Sequence, residues 1–408
     1  MGQGPDTVNG GADTDTLAII GTAAANTLVL GSNGTLVTTV EAGAVSNVET
    51  VTVDLLAGVD RLSFQGNAAA ITINLMAGTA TGVSSILNVE DSRGGLNNDT
   101  LIGNDLANDM EGQAGNDTLT GMGGNDVLNG EDGNDTFVAT LNDGNDTYSG
   151  DANTDTYDMS GTSAAATITA TSATSAETGT DTLASIEVYI GSQGGDSITG
   201  DADAETLNGH TGNDTLAGLG GADVLIGGLG IDTATYAASA AAVTVNMLTN
   251  VNTGGDAAGD TLSGIENLIG SGLNDNLTGD ALANVIDGAG GNDTLNVTIG
   301  GGADTIIGGA GTDTLNIAGT AGNDTLDVIF NGALITNFEG GTATGVEAVT
   351  ASLAGGIDTL SYAGTAAAVT VNLGAGTASG FTSVTGIENV VGGSNNDNLT
   401  GSTLGNVF

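Results

Sequence analysis

Cysteine, lysine and tryptophan are absent from this 408-residue chain, and proline and histidine occur once each, at Pro5 and His210. Without cysteine there is no disulfide framework, no thiolate metal site and no thiol nucleophile. Without lysine the only fixed cations are Arg61 and Arg93, set against 49 acidic residues for a formal charge of −47. Nucleic-acid partners are thereby excluded, because phosphate binding rests on Lys and Arg displacing condensed counterions. Anionic membrane surfaces fall to the same argument. No apolar run approaches the roughly 18 residues of a transmembrane segment. A lone histidine rules out H-E-x-x-H chemistry, no G-x-S-x-G occurs, and aromatics are too scarce, at 3%, to flank an acid pair with a sugar platform. We therefore expect no enzyme activity in this chain. His210, in "NGHTGNDTL", reads as a solvated turn residue, and Arg93, beside Glu90 and Asp91, as a local ion pair of little worth.

What is present is glycine, 71 residues of it, with 39% hydrophobic residues and a mean hydropathy of +0.14. That is enough apolar material for a core, so the charge does not imply disorder. The difficulty is mutual repulsion of carboxylates in a compact state. A cation is missing from the sequence and must come from outside it.

The stretch 112–137, "GQAGNDTLTGMGGNDVLNGEDGNDTF", shows the pattern that organises the chain. Asp117, Asp126 and Asp135 share the frame G-x-x-G-N-D-x-apolar, with Leu119, Leu128 and Phe137 two positions after each Asp. The frame returns around Asp214, Asp223, Asp232, Asp293 and Asp313. Glycine suits the tight turns, and one apolar residue per short strand suffices if strands stack on their equivalents. A longer repeat overlies this one, for residues 2–103 copy 300–401, laying Gly2 on Gly300 and "AAITINL" on "AAVTVNL". Both ends fall inside repeats, which predicts a slice of a longer tandem array.

Alternation at Ile71, Ile73 and Leu75, at Val243, Val245 and Met247, and at Val369, Val371 and Leu373 predicts half-buried strands between the glycine-rich blocks. No sustained helical period exists, so the chain reads as all-β. If two nonapeptides make one coil, residues 18 apart share an edge about 4.8 Å from one another. Asp99, Asp117 and Asp135 form one such row and Asp196, Asp214 and Asp232 a second, with Glu187, Glu205 and Asp223 on the opposite edge and Asp275 with Asp293 as a further pair. The step from Asp126 to Asp146 is 20, which predicts an interruption. Stacked carboxylates of this kind call for a hard cation with a mixed carboxylate and carbonyl shell; Ca²⁺ fits, whereas Mg²⁺ demands stricter geometry and zinc wants Cys and His.

The frame resembles the G-G-x-G-x-D-x-apolar-x nonapeptide of the RTX (repeats-in-toxin) proteins. That resemblance implies an all-β, right-handed parallel β-roll or β-helix solenoid stabilised by multiple Ca²⁺ ions, each held between successive turns by the motif Asp and turn carbonyls. Carried onto this chain, the ligand role falls on Asp99, Asp117, Asp126, Asp135, Asp196, Asp214, Asp223, Asp232, Asp293 and Asp313. Looser matches stand at Asp6, Asp15, Asp146, Asp155, Asp275, Asp304, Asp324 and Asp397. The chain departs from the motif before Asp15 and Asp155, where Asp13 and Asn153 replace a glycine, and at Glu205, which stands in for Asp.

The expected organisation is nonapeptide turns at 1–20, a β-rich solenoid segment at 21–93, a roll block at 94–158, a β-rich segment at 159–190, a roll block at 191–234, a β-rich segment at 235–269, a roll block at 270–328, a β-rich segment at 329–391 and the start of another block at 392–408. The expected function is a secreted, extracellular or cell-surface structural protein: a surface layer, adhesin stalk or fibre that becomes a rigid rod on binding Ca²⁺ and associates with itself into a lattice or fibre. The alternative is a Ca²⁺-dependent secretion and folding module of an exported enzyme whose catalytic domain lies outside this chain.

Overall fold

The structure is a computed structural model that describes residues 6–408; residues 1–5, with the start of the 1–20 segment and of the first long-repeat copy, lie outside the described residues. The described chain is all-β, with a single 3₁₀ turn at Gly255–Ala257. No helix among the described residues is long and apolar enough to cross a membrane. The chain divides into two compact units: Ile198 and the described residues before it, with Asn208–Gly212, and Thr199–Leu207 with Asn213–Phe408.

In the first unit the short strands stack in parallel and in register. On one side Leu62, Ser92, Met110, Leu128, Tyr148 and Leu183 lie above one another. On the other side the stack is Ile73, Leu101, Leu119, Phe137, Tyr157 and Tyr189. Leu119, Leu128 and Phe137 are all fully buried, as the two-after-Asp position requires. The second unit repeats the scheme, with Ala234, Leu268, Ile286, Ile306 and Ala343 in one file and Val245, Leu277, Leu295, Leu315 and Val349 in another. Most strands thus hide one large apolar side chain, a gain of about 1.5–3 kcal/mol for each such residue, with Ser92, Ala234 and Ala343 as the small exceptions. The apolar residues can be few because each is shared by the coils above and below it. Both units are parallel β-rolls.

Where the sequence runs longer between acids, the extra length folds back as an antiparallel excursion. Thr27–Ser32, Val37–Val40 and Gly43–Ser46 form one such meander, Ala166–Thr169, Ser172–Ser175 and Gly179–Ala184 a second, and Thr325–Phe330, Ile335–Phe338 and Gly341–Thr344 a third. The expected interruption at Asp126–Asp146 does not occur. Val127–Asp132 pairs in register with Thr147–Ala152, and the two extra residues are absorbed in the turn at 139–143, where Asn142 takes a φ of 61°. The expected Arg93 pairing with Glu90 and Asp91 is also corrected. Arg93 pairs with Glu111 on the next strand, and it is Arg61 that approaches Asp91, at 3.8 Å.

Candidate metal centre

Each Gly-Asn-Asp turn delivers its Asp to the end of a strand with the carboxylate folded inward. Oδ1 accepts a hydrogen bond from the backbone N–H of the corresponding residue one coil earlier. Asp99 donates to Asp117, Asp117 to Asp135 and Asp135 to Asp155, each at 2.7 Å. A second ladder runs from Asn108 to Asp126 and Asp126 to Asp146 at 2.8 Å, then Asp146 to Asp181 at 3.0 Å. The Asn before each Asp reaches the other way: Asn98 Oδ1 accepts from the Asn116 N–H at 3.0 Å and Asn116 Oδ1 from the Asn134 N–H at 3.1 Å. The pairs Asn98-Asp99, Asn116-Asp117 and Asn134-Asp135 therefore each grip one coil on either side. That accounts for the dipeptide's recurrence in the frame.

Glycine makes room for this arrangement at two places. A methyl group on Gly112, Gly121 or Gly130 would overlap Oδ2 of Asp117, Asp126 or Asp135, five residues on. Two residues before the Asp, Gly115 and Gly133 sit at φ of 120° and 148°, which favours glycine. A methyl group on Gly133 would overlap the Gly115 carbonyl oxygen of the preceding coil. Turn carbonyls are thus packed into the same intercoil space as the carboxylates.

The second carboxylate oxygen separates the candidates into classes. In Asp15, Asp117, Asp126, Asp135, Asp155, Asp223, Asp232, Asp293 and Asp313, Oδ2 is buried with no hydrogen-bond partner. Burial raises several of them: Asp117, Asp126 and Asp155 are pushed up to about 7, and Asp135 and Asp293 to about 6. Neighbouring carboxylates add to the rise at Asp117, from Asp99 and Asp135. In a second class, both oxygens are held by the protein: Asp275 Oδ2 accepts from the Ser271 N–H at 2.5 Å while Oδ1 accepts from Val243 N–H at 2.7 Å. Asp99, Asp196 and Asp324 close their own turns in the same way, on the N–H of Gly95, Ser192 and Thr320. In a third, a buried tyrosine supplies the proton, with Tyr148 O–H donating to Asp146 at 3.0 Å.

The remaining candidates also fall on ladders. Asp214 N–H donates to Asp232 at 2.8 Å, Asn284 N–H to Asp304 at 3.0 Å and Val369 N–H to Asp397 at 2.9 Å, while Asp6 is exposed. Glu205 occupies the rung its spacing implies, its N–H donating to Asp223 at 2.9 Å. Glu187 takes the Asp155 N–H at 2.8 Å.

Sequence reasoning missed a whole set of rungs. The N–H groups of Asp15, Asp60, Asp232, Asp313 and Asp358 donate to Glu49, Glu90, Glu266, Glu347 and Glu388. These glutamates end the long coils, 30 to 34 residues after the Asp they cap. The signal was available: two residues before each stands Asn47, Asn88, Gly264, Gly345 or Gly386 at positive φ, and one before, Val or Ile. A residue at that tight turn needs the longer Glu side chain to reach the preceding coil.

These residues fit a calcium ion. The unpartnered Oδ2 atoms are buried anionic acceptors, and the carbonyls beside them complete an all-oxygen donor set of the kind Ca²⁺ takes. Among the described residues no group of three or more Asp, Glu or His side chains is placed to hold a metal ion by itself, so such a shell draws on turn carbonyls as well as one or two carboxylates. Asp117, Asp135 and Asp155 along one edge, and Asp293 and Asp313 along another, are the residues that would hold it.

No curated protein matches the chain. The family model described as RTX calcium-binding nonapeptide repeat (4 copies) matches residues 2–18, 102–137, 181–216, 199–234 and 269–297. These segments contain the open, unpartnered turns from Asp117 to Asp135 and those at Asp223, Asp232 and Asp293, so geometry and pattern agree: the chain carries RTX calcium-binding nonapeptide repeats, folded as coils of a β-roll.

Proposed function

We propose that this is a secreted, non-catalytic structural protein whose coils are completed by several extracellular calcium ions, serving as surface-layer, adhesin-stalk or fibre material in which copies associate. The observation that supports it is the recurrence of buried carboxylate oxygens with no protein partner, repeated from turn to turn. Two ionised carboxylates one coil apart repel by about 3 kcal/mol at an effective dielectric near 20, so the ion-free rows work against folding at neutral pH. At site constants of about 10⁻⁴ to 10⁻³ M, typical of extracellular modules, millimolar calcium contributes up to about 1.4 kcal/mol per site and micromolar calcium almost nothing. Over several sites this difference separates a folded chain outside the cell from a self-repelling one inside. Circular dichroism tests the reading: β content develops in millimolar calcium and is lost in excess EGTA. The same spectrum under both conditions would reject it.

A further inference from the structure

The eighteen acids that match the motif are not equivalent in this structure, and their closures divide them. Asp99, Asp196, Asp275 and Asp324 have both oxygens engaged by protein N–H or O–H groups, at Asp275 by Ser271 N–H, Ser271 Oγ and Val243 N–H. The decisive comparison is with Asn108, Asn284 and Asn406. Each closes its turn through the same four-residue contact, Oδ1 accepting from the N–H of Asn104, Asp280 or Ser402 at 2.8, 2.9 and 2.8 Å. These three turns make with an uncharged amide the turn-closing contact that Asp275 makes with a carboxylate, while their Nδ2 donates to the Glu90, Glu266 and Glu388 carbonyls of the preceding coil, where Asp275 Oδ1 accepts from Val243 N–H. A turn that a neutral amide completes has no need of a cation.

Resting on the calcium reading above, we infer that the ions are confined to the open glycine turns, chiefly between Asp117 and Asp135, Asp135 and Asp155, and Asp293 and Asp313. The self-closed turns at Asp99, Asp196, Asp275 and Asp324 take none. The blocks at 94–158, 191–234 and 270–328 then each begin with a coil that is complete without an ion, at Asp99, Asp196 and Asp275. The calcium-dependent coils add to it on one side. The motif alone does not distinguish the classes, since Asp99 and Asp117 both follow Asn and precede Thr-Leu. The backbone two residues before does: φ is positive at Gly115, Gly133, Asn153, Gly291 and Gly311, and not at Asn97, Gly194, Leu273 or Gly322 before the self-closed acids.

Calcium titration of the full chain by isothermal calorimetry tests this with two substitutions. Asp275→Asn retains an oxygen for the Ser271 N–H, the contact Asn284 makes with Asp280, while its Nδ2 leaves the Val243 N–H without an acceptor, and the expected stoichiometry equals that of the unsubstituted chain. Asp135→Asn keeps an acceptor for the Asp117 N–H but removes the charge shared by two intercoil spaces, and one to two ions are expected to be lost. Hydrogen exchange in calcium gives an independent reading: the Ser271 amide stays protected in Asp275→Asn, and the Asp117 amide stays protected in Asp135→Asn, so a lost ion is not mistaken for a lost fold. Equal loss of ions in both variants, or none in Asp135→Asn, overturns the inference. An unsubstituted chain that binds no calcium overturns the reading beneath it instead.

Discussion

In the first copy of the long repeat, Asp15 N–H donates to Glu49 at 2.8 Å and Asp60 N–H to Glu90 at 2.9 Å; in the second, Asp313 donates to Glu347 at 2.8 Å and Asp358 to Glu388 at 3.0 Å. Ile71 N–H on Asp99 is matched by Val369 N–H on Asp397. The outward faces do not match. Arg61 in the first copy donates to Asp109 and Glu111, both at 2.7 Å, and Arg93 pairs with Glu111. The second copy carries Thr359, Asn389 and Val391 where the first has Arg61, Asp91 and Arg93. Side chains that tie coil to coil are repeated, then, while those facing out change together so that charge stays balanced.

The largest expected effect lies between the copies, where the acids are most perturbed. Asp117, Asp126 and Asp155 are raised to about 7 and Glu205 to about 8, in each case chiefly by burial; within the second copy Asp304 reaches about 6. A folded-state pKa above the unfolded value, 3.8 for Asp and 4.5 for Glu, means that the folded chain binds more protons between those pH values. The resulting stabilisation is fully present below about pH 4 and is lost as pH rises through about 6 to 8. In EGTA the β content lost at neutral pH should return as pH falls toward about 4, the proton doing in acid what the ion does at neutral pH. In millimolar calcium it should be retained at both, because the ion takes the place of the proton. Circular dichroism measures both series, and β content in EGTA that rises with pH contradicts the buried-carboxylate account.

Next in size is the arginine network. Arg61→Ala leaves Asp91, Asp109 and Glu111 with Arg93 alone, and because the Arg61 side chain is only 18% exposed, the expected loss is about 2 kcal/mol by urea unfolding. The reciprocal change, Thr359→Arg, meets Asn389 and Val391 rather than acids and should alter stability by less than about 0.5 kcal/mol. Equal effects at the two positions would mean that the cations are decoration rather than balance.

The nonapeptide frame made the inward row legible, because Leu119, Leu128 and Phe137 follow their Asp at the one spacing that stacks them. It also assigned Asp117 and Asp135 to one ladder and Asp126 to another. What the spacing could not reveal was which way the carboxylate turns: the same register serves a side chain aimed outward or one folded beneath the strand onto the preceding N–H. The meanders escaped notice for a different reason. Their alternation, as at Thr325–Phe330, is that of any strand, and nothing local distinguishes an antiparallel excursion from another coil. Glu49 and Glu347 were passed over because their partners lie 34 residues away, outside any nine-residue rule.

Those two glutamates give a third, smaller comparison. Glu347→Ala leaves the N–H of fully buried Asp313 without an acceptor, which should cost about 1–2 kcal/mol. Glu49→Ala does the same at Asp15, which is half-buried and open to water, and should cost less than about 1 kcal/mol. Glutamine at either position retains the acceptor oxygen and should be nearly neutral. Parallel urea titrations of the four variants check the order, and a glutamine as harmful as alanine would show that charge, not hydrogen bonding, makes the rung.

The last comparison, also small, is Asn26→Asp, which gives the first copy the residue the second has at Asp324. Asn26 Nδ2 donates to Asp60 at 2.8 Å and to the Thr22 carbonyl at 3.1 Å, and an aspartate can do neither. It also sets a carboxylate beside Asp60. In the second copy, however, Asp324 avoids Asp358 by turning its oxygens onto the Thr320 N–H and Oγ1, at 2.7 and 2.8 Å, and Thr22 stands ready in the same place. The substituted side chain should therefore re-close the turn on Thr22, at a cost below about 1 kcal/mol. Adding Thr22→Val should raise that cost in Asn26→Asp more than in the unsubstituted chain, since only the aspartate depends on the hydroxyl for relief. Additive effects of the two substitutions would show that the first copy does not adopt the second copy's turn, even when given its residues.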